Sequence, residues 1–305
     1  MKIIDAHQHF WDIETNHHPW LCDQPVPFRY GDYSALQKNY LPEDYRDDAK
    51  YFDLAGSVFI EAEWTPDDPQ GEVSWVSQLR KQAQLPSVMV AQVWLHRDDA
   101  EAVLSSYGQV DFVRGIRHKP TSATAPGKVV PGTPKSMSDP NWRRGYALLA
   151  PNGLSFDLQT PWWQLAEARE LAEDFPETSI FLNHTGLPAD RSKEGLSGWR
   201  KAMKHFAQAP NTAVKISGLG CRGRVWSVAE NHRVVLETIE IFSPQRCMFA
   251  SNFPVDGLVG SYKTIMGGFL AITEPFSEAE RNAMFHDNAA KFYRINQPLF
   301  PKKAL

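Results

Sequence analysis

Cysteine is scarce and scattered. The 305-residue chain has three, Cys22, Cys221 and Cys247, and no C-x-x-C pair. That excludes a zinc ribbon or a thioredoxin-type motif, and an odd count in a chain of this size suits a reducing compartment. No run approaches the roughly 18 apolar residues that a membrane helix needs. No signal peptide precedes "KIIDAH", because a strand-like run starts at residue 2 or 3. The expectation is a cytoplasmic protein. A long block of one charge is also missing. The formal net charge is −4, with 32 Lys and Arg against 36 Asp and Glu. This argues against nucleic acid or a membrane surface as partner and leaves a small molecule as the expected one. The short basic end "PKKAL" reads as a solvated tail. No G-x-G-x-x-G and no P-loop follows any strand-like run, so the usual nucleotide signatures are absent too.

What the chain does have is rhythm. Short apolar, β-branched runs occur at 2–7, 56–63, 87–94, 110–117, 154–159, 178–184, 212–218 and 246–252. Several are almost continuously apolar, as strands covered on both faces should be. Helical patterns follow near 71–84, 97–106, 142–149, 161–175, 196–208, 228–241, 261–272 and 277–293. The clearest is "PWWQLAEARELAEDF" at 161–175, with Thr160 able to cap it and Pro161 suited to its first position. The last opens with a capping box, Ser277 and Glu280. Strand then helix, eight times, predicts an α/β fold: one (β/α)8 barrel of TIM type over residues 1–305, with its site at the C-terminal ends of the strands. A doubly wound sheet of six or seven strands is the other arrangement compatible with the pattern. Two long connections, 12–40 and 119–141, follow strand ends and read as substrate-covering loops or, for the second, a mobile excursion.

The first run ends in "DAHQH". Residues two apart on a strand point the same way, so Asp5, His7 and His9 are expected on one face. The pair is either a ligand-binding wall or two hydrogen-bonded structural histidines. The other strand ends add Glu61 and Glu63, Arg117 and His118, Asp157 and Gln159, Asn183 and His184, Lys215 and Ser217, and finally Asn252 and Asp256. Charged residues are seldom buried without partners, so this many at strand tips points to a polar site. Arg114 and Arg117 lie three apart and face opposite sides, and Arg117 is taken as the inward one. Trp20, Trp64 and Trp94 could wall a flat ring or simply pack.

"IDAHQHFWD", "HPWL", "VRGIRH", "FDLQ", "NHTG", "KISGL", "MFASNFPVD" and "DNAAKFYRI" occur in this order along nearly the whole chain. Together they resemble the amidohydrolase superfamily, in its branch of sugar-lactone and dicarboxylate-lactone hydrolases, L-fuconolactonase-like and 2-pyrone-4,6-dicarboxylate lactonase-like. The resemblance implies a distorted (β/α)8 barrel and hydrolysis of a lactone by an activated water. It matches His7 and His9 to a first-strand metal-binding pair and His184 to a sixth-strand histidine. These three would hold one divalent ion, zinc first; some members of the branch work without metal, and that alternative stays open.

Two departures stand out. Strands four and five carry Arg117 with His118 and Asp157 with Gln159, where two-metal members have a bridging lysine or glutamate and a histidine. The eighth strand carries Asn252 where the superfamily has an aspartate, and a neutral amide cannot take a proton at ordinary pH. Asp256 is then the first candidate base and Asp157 the second. Arg117 and His184 join them as catalytic candidates. Arg117, His118, Trp20, Glu63, Gln159, Lys215 and Asn252 are the candidate substrate contacts. The alternatives are a metal-dependent decarboxylase of the same superfamily and a catalytically silent sugar-acid binder.

Overall fold

Eight parallel strands form one sheet in strict chain order: β1 (Lys2–Gln8), β2 (Asp53–Ile60), β3 (Val88–Gln92), β4 (Val113–Arg117), β5 (Ser155–Leu158), β6 (Ile180–Leu182), β7 (Thr212–Ile216) and β8 (Cys247–Phe249). The computed structural model describes residues 1–295, so the basic end lies outside the described residues. The seam between the last strand and the first is closed by backbone bonds just beyond β8. His9 N donates to Phe253 O at 2.8 Å, and Asn252 N donates to His7 O at 2.8 Å. The expected (β/α)8 barrel is therefore the observed fold.

A covering helix follows each strand: α1 (Pro42–Ala49, after a single turn of helix at Pro19–Cys22), α2 (Gly71–Ala83), α3 (Ala100–Gly108), α4 (Pro140–Tyr146), α5 (Leu165–Asp174), α6 (Lys193–Phe206), α7 (Val228–Phe242) and α8 (Tyr262–Ile272). Helix α6 shows the logic of the outer layer. Leu196, Trp199, Met203 and Phe206 recur at helical spacing and are all buried. Each such side chain stabilises the docked helix by ~1.5–3 kcal/mol, far more than any propensity term. The Ser192 hydroxyl caps the helix by accepting from Gly195 N at 3.0 Å. Helix α1 has no counterpart among the expected elements, because "PEDYRDDA" is too short and polar to show a periodic face. Helix α5 starts later than its sequence suggests. A 3₁₀ turn at Trp162–Gln164 precedes it, and the Thr160 hydroxyl meets Ser122 Oγ at 3.0 Å instead of capping.

Inside the barrel, Ile4, Ala6, Val58, Ile60, Val90 and Phe181 make a small apolar cluster with Ala289 and Tyr293. The latter two come from the C-terminal run, in which Glu278–Asn282, a π turn at Ala283–Asp287 and Asn288–Phe292 follow one another. Ser277 and Glu280 form the expected capping box at its start. Asn288 Nδ2 fixes the run under the barrel by donating to Pro244 O and Cys247 O at 2.7 and 2.8 Å.

Strand β1 corrects one expectation. Its register against β2 slips between Asp5 and Gln8, the signature of a bulge. Asp5, ahead of the slip and alternating with the inward Ile4 and Ala6, points to the helix layer, where its carboxylate accepts from Ser251 N at 2.8 Å, Ser251 Oγ at 2.6 Å and Tyr45 OH at 3.0 Å. It does not share a face with His7 and His9. An extra residue in a strand reverses the side-chain alternation that follows it.

Candidate active site

His7 and His9 emerge from the bulge side by side, with Nε2 atoms 3.2 Å apart. His9 Nδ1 lies 2.7 Å from Ile60 O, so that nitrogen carries the proton and Nε2 is the acceptor. His7 must then donate through Nε2, and its buried Nδ1 has no partner among the described residues. The His184 ring lies 4.6 Å from that of His7. It sits on a left-handed turn, with φ of 54° at His184 and 51° at Thr185, that follows directly on β6. Its Nδ1 is 2.9 Å from Ser217 Oγ at the end of β7, which leaves Nε2 to the cavity. Gly218 is required here: a Cβ at that position would stand 2.5 Å from the imidazole. Burial, reinforced by nearby cations, holds all three histidines well below the ordinary imidazole value, so they are neutral at pH 7.

A cavity of about 330 Å³ opens above them at the C-terminal mouth of the barrel. His9, His184, Asn252, Arg117, Gln159 and Glu63 supply its polar wall, and Trp11, Trp20, Phe28 and Val255 its apolar one. Arg117 is 3% exposed and locked in place. It pairs with Glu61, donates to the Glu61 carbonyl at 2.6 Å, and reaches Gln159 Oε1 at 3.0 Å. A guanidinium has five N–H groups, so two remain for a ligand. Lys119 pairs with Glu63 across the rim.

Several expected site residues stand elsewhere. His118 is turned into the outer layer, where its Nδ1 accepts from Trp142 Nε1 at 3.0 Å and Leu95 N at 3.2 Å. Burial lowers its pKa to about 3. It follows Arg117 directly, and neighbours at a strand tip face opposite ways. Asp157 and Lys215 lie inside the barrel, both fully buried and 2.5 Å apart. Tyr293 OH and Asn183 Nδ2 also donate to that carboxylate, each at 2.9 Å. Asp256 sits behind Asn252. Its Oδ1 accepts from Asn252 Nδ2 at 2.6 Å, Tyr30 OH at 2.8 Å and Arg29 Nη2 at 3.4 Å. Asp157, Lys215 and Asp256 are thus off the cavity wall. Of the three tryptophans only Trp20 is on it; Trp64 and Trp94 line a neighbouring depression. The loop at 12–40 covers the cavity with Trp20, Phe28 and Arg29, whereas of residues 119–141 only Lys119 reaches it. Arg29 went unread because a lone arginine in an irregular loop carries no periodic signal.

The residues fit a zinc-type ion only in part. Two imidazole nitrogens at about 2.0–2.1 Å from a tetrahedral ion stand about 3.3 Å apart, close to the observed 3.2 Å. His9 also has the carbonyl that a ligating histidine needs on its other nitrogen. His7 does not: binding through Nε2 would put its proton on Nδ1, which is buried without an acceptor. The eighth-strand position supplies an amide, not a carboxylate. Among the described residues no group of three or more His, Cys, Asp or Glu side chains is arranged to hold a metal ion. The donor set as placed does not close a metal site.

The Amidohydrolase family matches residues 4–295 of this sequence. The uncharacterized protein y4mH of Sinorhizobium fredii is 44% identical over 295 residues, covering 97% of this chain and 99% of that one. An L-fucono-1,5-lactonase of Burkholderia multivorans is 26% identical over 307 residues, covering 97% of both chains. A crystal structure of a Burkholderia multivorans amidohydrolase with bound HEPES superposes with a TM-score of 0.80 at 25% identity, covering 96% of this chain and 99% of that one. A structure of that amidohydrolase in another space group contains bound zinc.

Proposed function

This chain belongs to the Amidohydrolase family, and from that premise we propose that it opens a lactone ring by hydrolysis. The observation that carries the reading is a neutral imidazole, His184, buttressed by Ser217 and facing a cavity whose other wall holds the clamped Arg117. The reading is also supported by the L-fucono-1,5-lactonase relative.

In this proposal the lactone carbonyl oxygen accepts the two free N–H groups of Arg117. Glu61 already neutralises that guanidinium, so it acts as a fixed donor to developing negative charge and not as the partner of a substrate carboxylate. Water enters between the ring and His184. Nε2 takes its proton as the oxygen attacks the carbonyl carbon, the ring C–O bond then breaks, and the imidazolium returns the proton to the departing ring oxygen. The product is an open-chain hydroxy acid. Asn252 is held by Asp256 and presents its amide to the cavity, so Asp256 positions and does not abstract. Trp20 and Phe28, nearly parallel with centroids 5.8 Å apart, form the apolar side of the ring's pocket. No step is assigned to a metal, because the donor set does not close.

The test is a panel of aldonolactones and muconolactone-type compounds, assayed with wild-type protein, with His184→Ala and with chelator-treated protein. Ring opening that survives chelation and is lost in His184→Ala is expected. Folded protein that turns over none of them defeats the proposal, and carbon dioxide release without ring opening would reassign the reaction to decarboxylation.

A further inference from the structure

A second, larger cleft adjoins the histidine cavity and shares Arg29 and Leu187 with it. Its volume is about 770 Å³. Four arginines line it, Arg29, Arg191, Arg222 and Arg224, against a single acid, Asp190. Asp190 is occupied locally, accepting from Ser192 N at 2.9 Å at the start of α6. Among the described residues, Arg29 pairs with Asp256 at 3.4 Å and Arg224 with Glu230 at 2.9 Å. Arg191 spends one nitrogen on Leu219 O and Asn231 Oδ1, while its Nε and Nη1, like Nη1 of Arg29, are buried without partners among the described residues. Arg222 lies over Gly31, whose φ is 94°; a Cβ there would come within 3.2 Å of its Nε. The glycine lets the loop after β7 press its guanidinium onto the loop after β1.

Buried N–H groups without acceptors are costly, about 1–3 kcal/mol each and more for charged groups. Three of them, on two arginines that line one cleft, point to a site for an oxyanion, which guanidinium forks bind in bidentate fashion. The histidine cavity itself is charge-balanced, since Arg117 and Lys119 each have a glutamate. We propose that this cleft is an anion subsite: the substrate carries, beyond its ester ring, a carboxylate or phosphate on an arm that passes Arg29 and Leu187 and docks against Arg191, Arg222 and Arg224. The ring's place in the histidine cavity rests on the function proposed above; the anion subsite stands on its own residues.

The test is calorimetric titration with glutarate, with inorganic phosphate and with uncharged dimethyl glutarate at low ionic strength. Wild type is compared with Arg222→Ala/Arg224→Ala and with Arg222→Lys/Arg224→Lys. At least one anion should bind the wild type, at least tenfold more weakly the alanine variant, with recovery in the lysine variant. The neutral diester should not bind. Tighter glutarate assigns a carboxylate arm and tighter phosphate a phosphorylated one. Failure of both anions to bind, or equal binding by the alanine variant, overturns the subsite. Because binding needs no turnover, anion binding by protein inert toward lactones would sink the hydrolase reading alone. Lactone hydrolysis without anion binding would sink the subsite alone.

Discussion

The two adjoining hollows at the barrel mouth treat charge in opposite ways. In the histidine cavity every cation has a carboxylate: Arg117 with Glu61 and Lys119 with Glu63, with Arg29 held from behind by Asp256. In the outer cleft Arg29 is shared with the cavity and Arg224 has Glu230, whereas Arg191 and Arg222 have no carboxylate partner among the described residues. The cavity wall comes largely from strand tips, where burial demands that charge be cancelled. The cleft is built from loops, and it leaves Nε and Nη1 of Arg191 and Nη1 of Arg29 buried without a partner among the described residues. On the function and subsite proposed above, the two hollows select different parts of one molecule: a neutral, polarisable ring in the first and an anion in the second.

The largest effect should come from removing the one group assigned to proton transfer. His184→Ala is expected to lower kcat about 10²–10⁴-fold, with thermal unfolding little changed; equal loss of both would make His184 merely structural. Next comes the charge balance itself. Arg117→Met strands Glu61, which is 1% exposed, and should cost about 3–5 kcal/mol in urea unfolding. A third test uses pH. Burial holds His18, which lies in the loop after β1 with its Nδ1 3.0 Å from Ala62 O, at a pKa of about 4 and His118 at about 3, against an ordinary 6.5. The folded forms are neutral while the unfolded chain takes up protons below 6.5. Stability is therefore full above that pH and falls between 6.5 and about 4 for His18, and between 6.5 and about 3 for His118. The slope should approach about 1.4 kcal/mol per pH unit for each histidine; unfolding free energies that stay level from pH 7 to pH 4 would contradict these placements. The smallest effect belongs to the cleft. Arg222→Ala should change folding stability by no more than about 0.5 kcal/mol, and a loss comparable to that of Arg117→Met would erase the distinction between the two hollows.

Much of the barrel was legible beforehand because parallel strands buried on both faces must be apolar and brief, and each must be followed by a helix. Helix α1 was not, since eight mostly polar residues show no period. Strand alternation correctly placed Arg117 inward and Arg114 away from the cavity, but it failed on β1. There Asp5 points outward to Tyr45 and Tyr262, and the bulge that follows it turns His7 and His9 together to the other face. Acidic residues were harder still: Asp157, Asp256 and Glu63 look alike in a string of letters. Only packing separates one paired with Lys215 inside the barrel, one behind Asn252, and one at the cavity rim.

The order and spacing of apolar runs fixed eight strand–helix units by themselves, because buried parallel strands and their covering helices follow from local pattern; that the sheet closes into a barrel and not an open doubly wound layer was decided by the bonds between the ends of β1 and β8. Which side chains meet across 175 or more intervening residues, and which nitrogen of each imidazole is left free, depended on the tertiary structure. Those outcomes are set by a one-residue bulge, a left-handed turn and the acceptor that happens to stand opposite, none of which has a local signature in the chain.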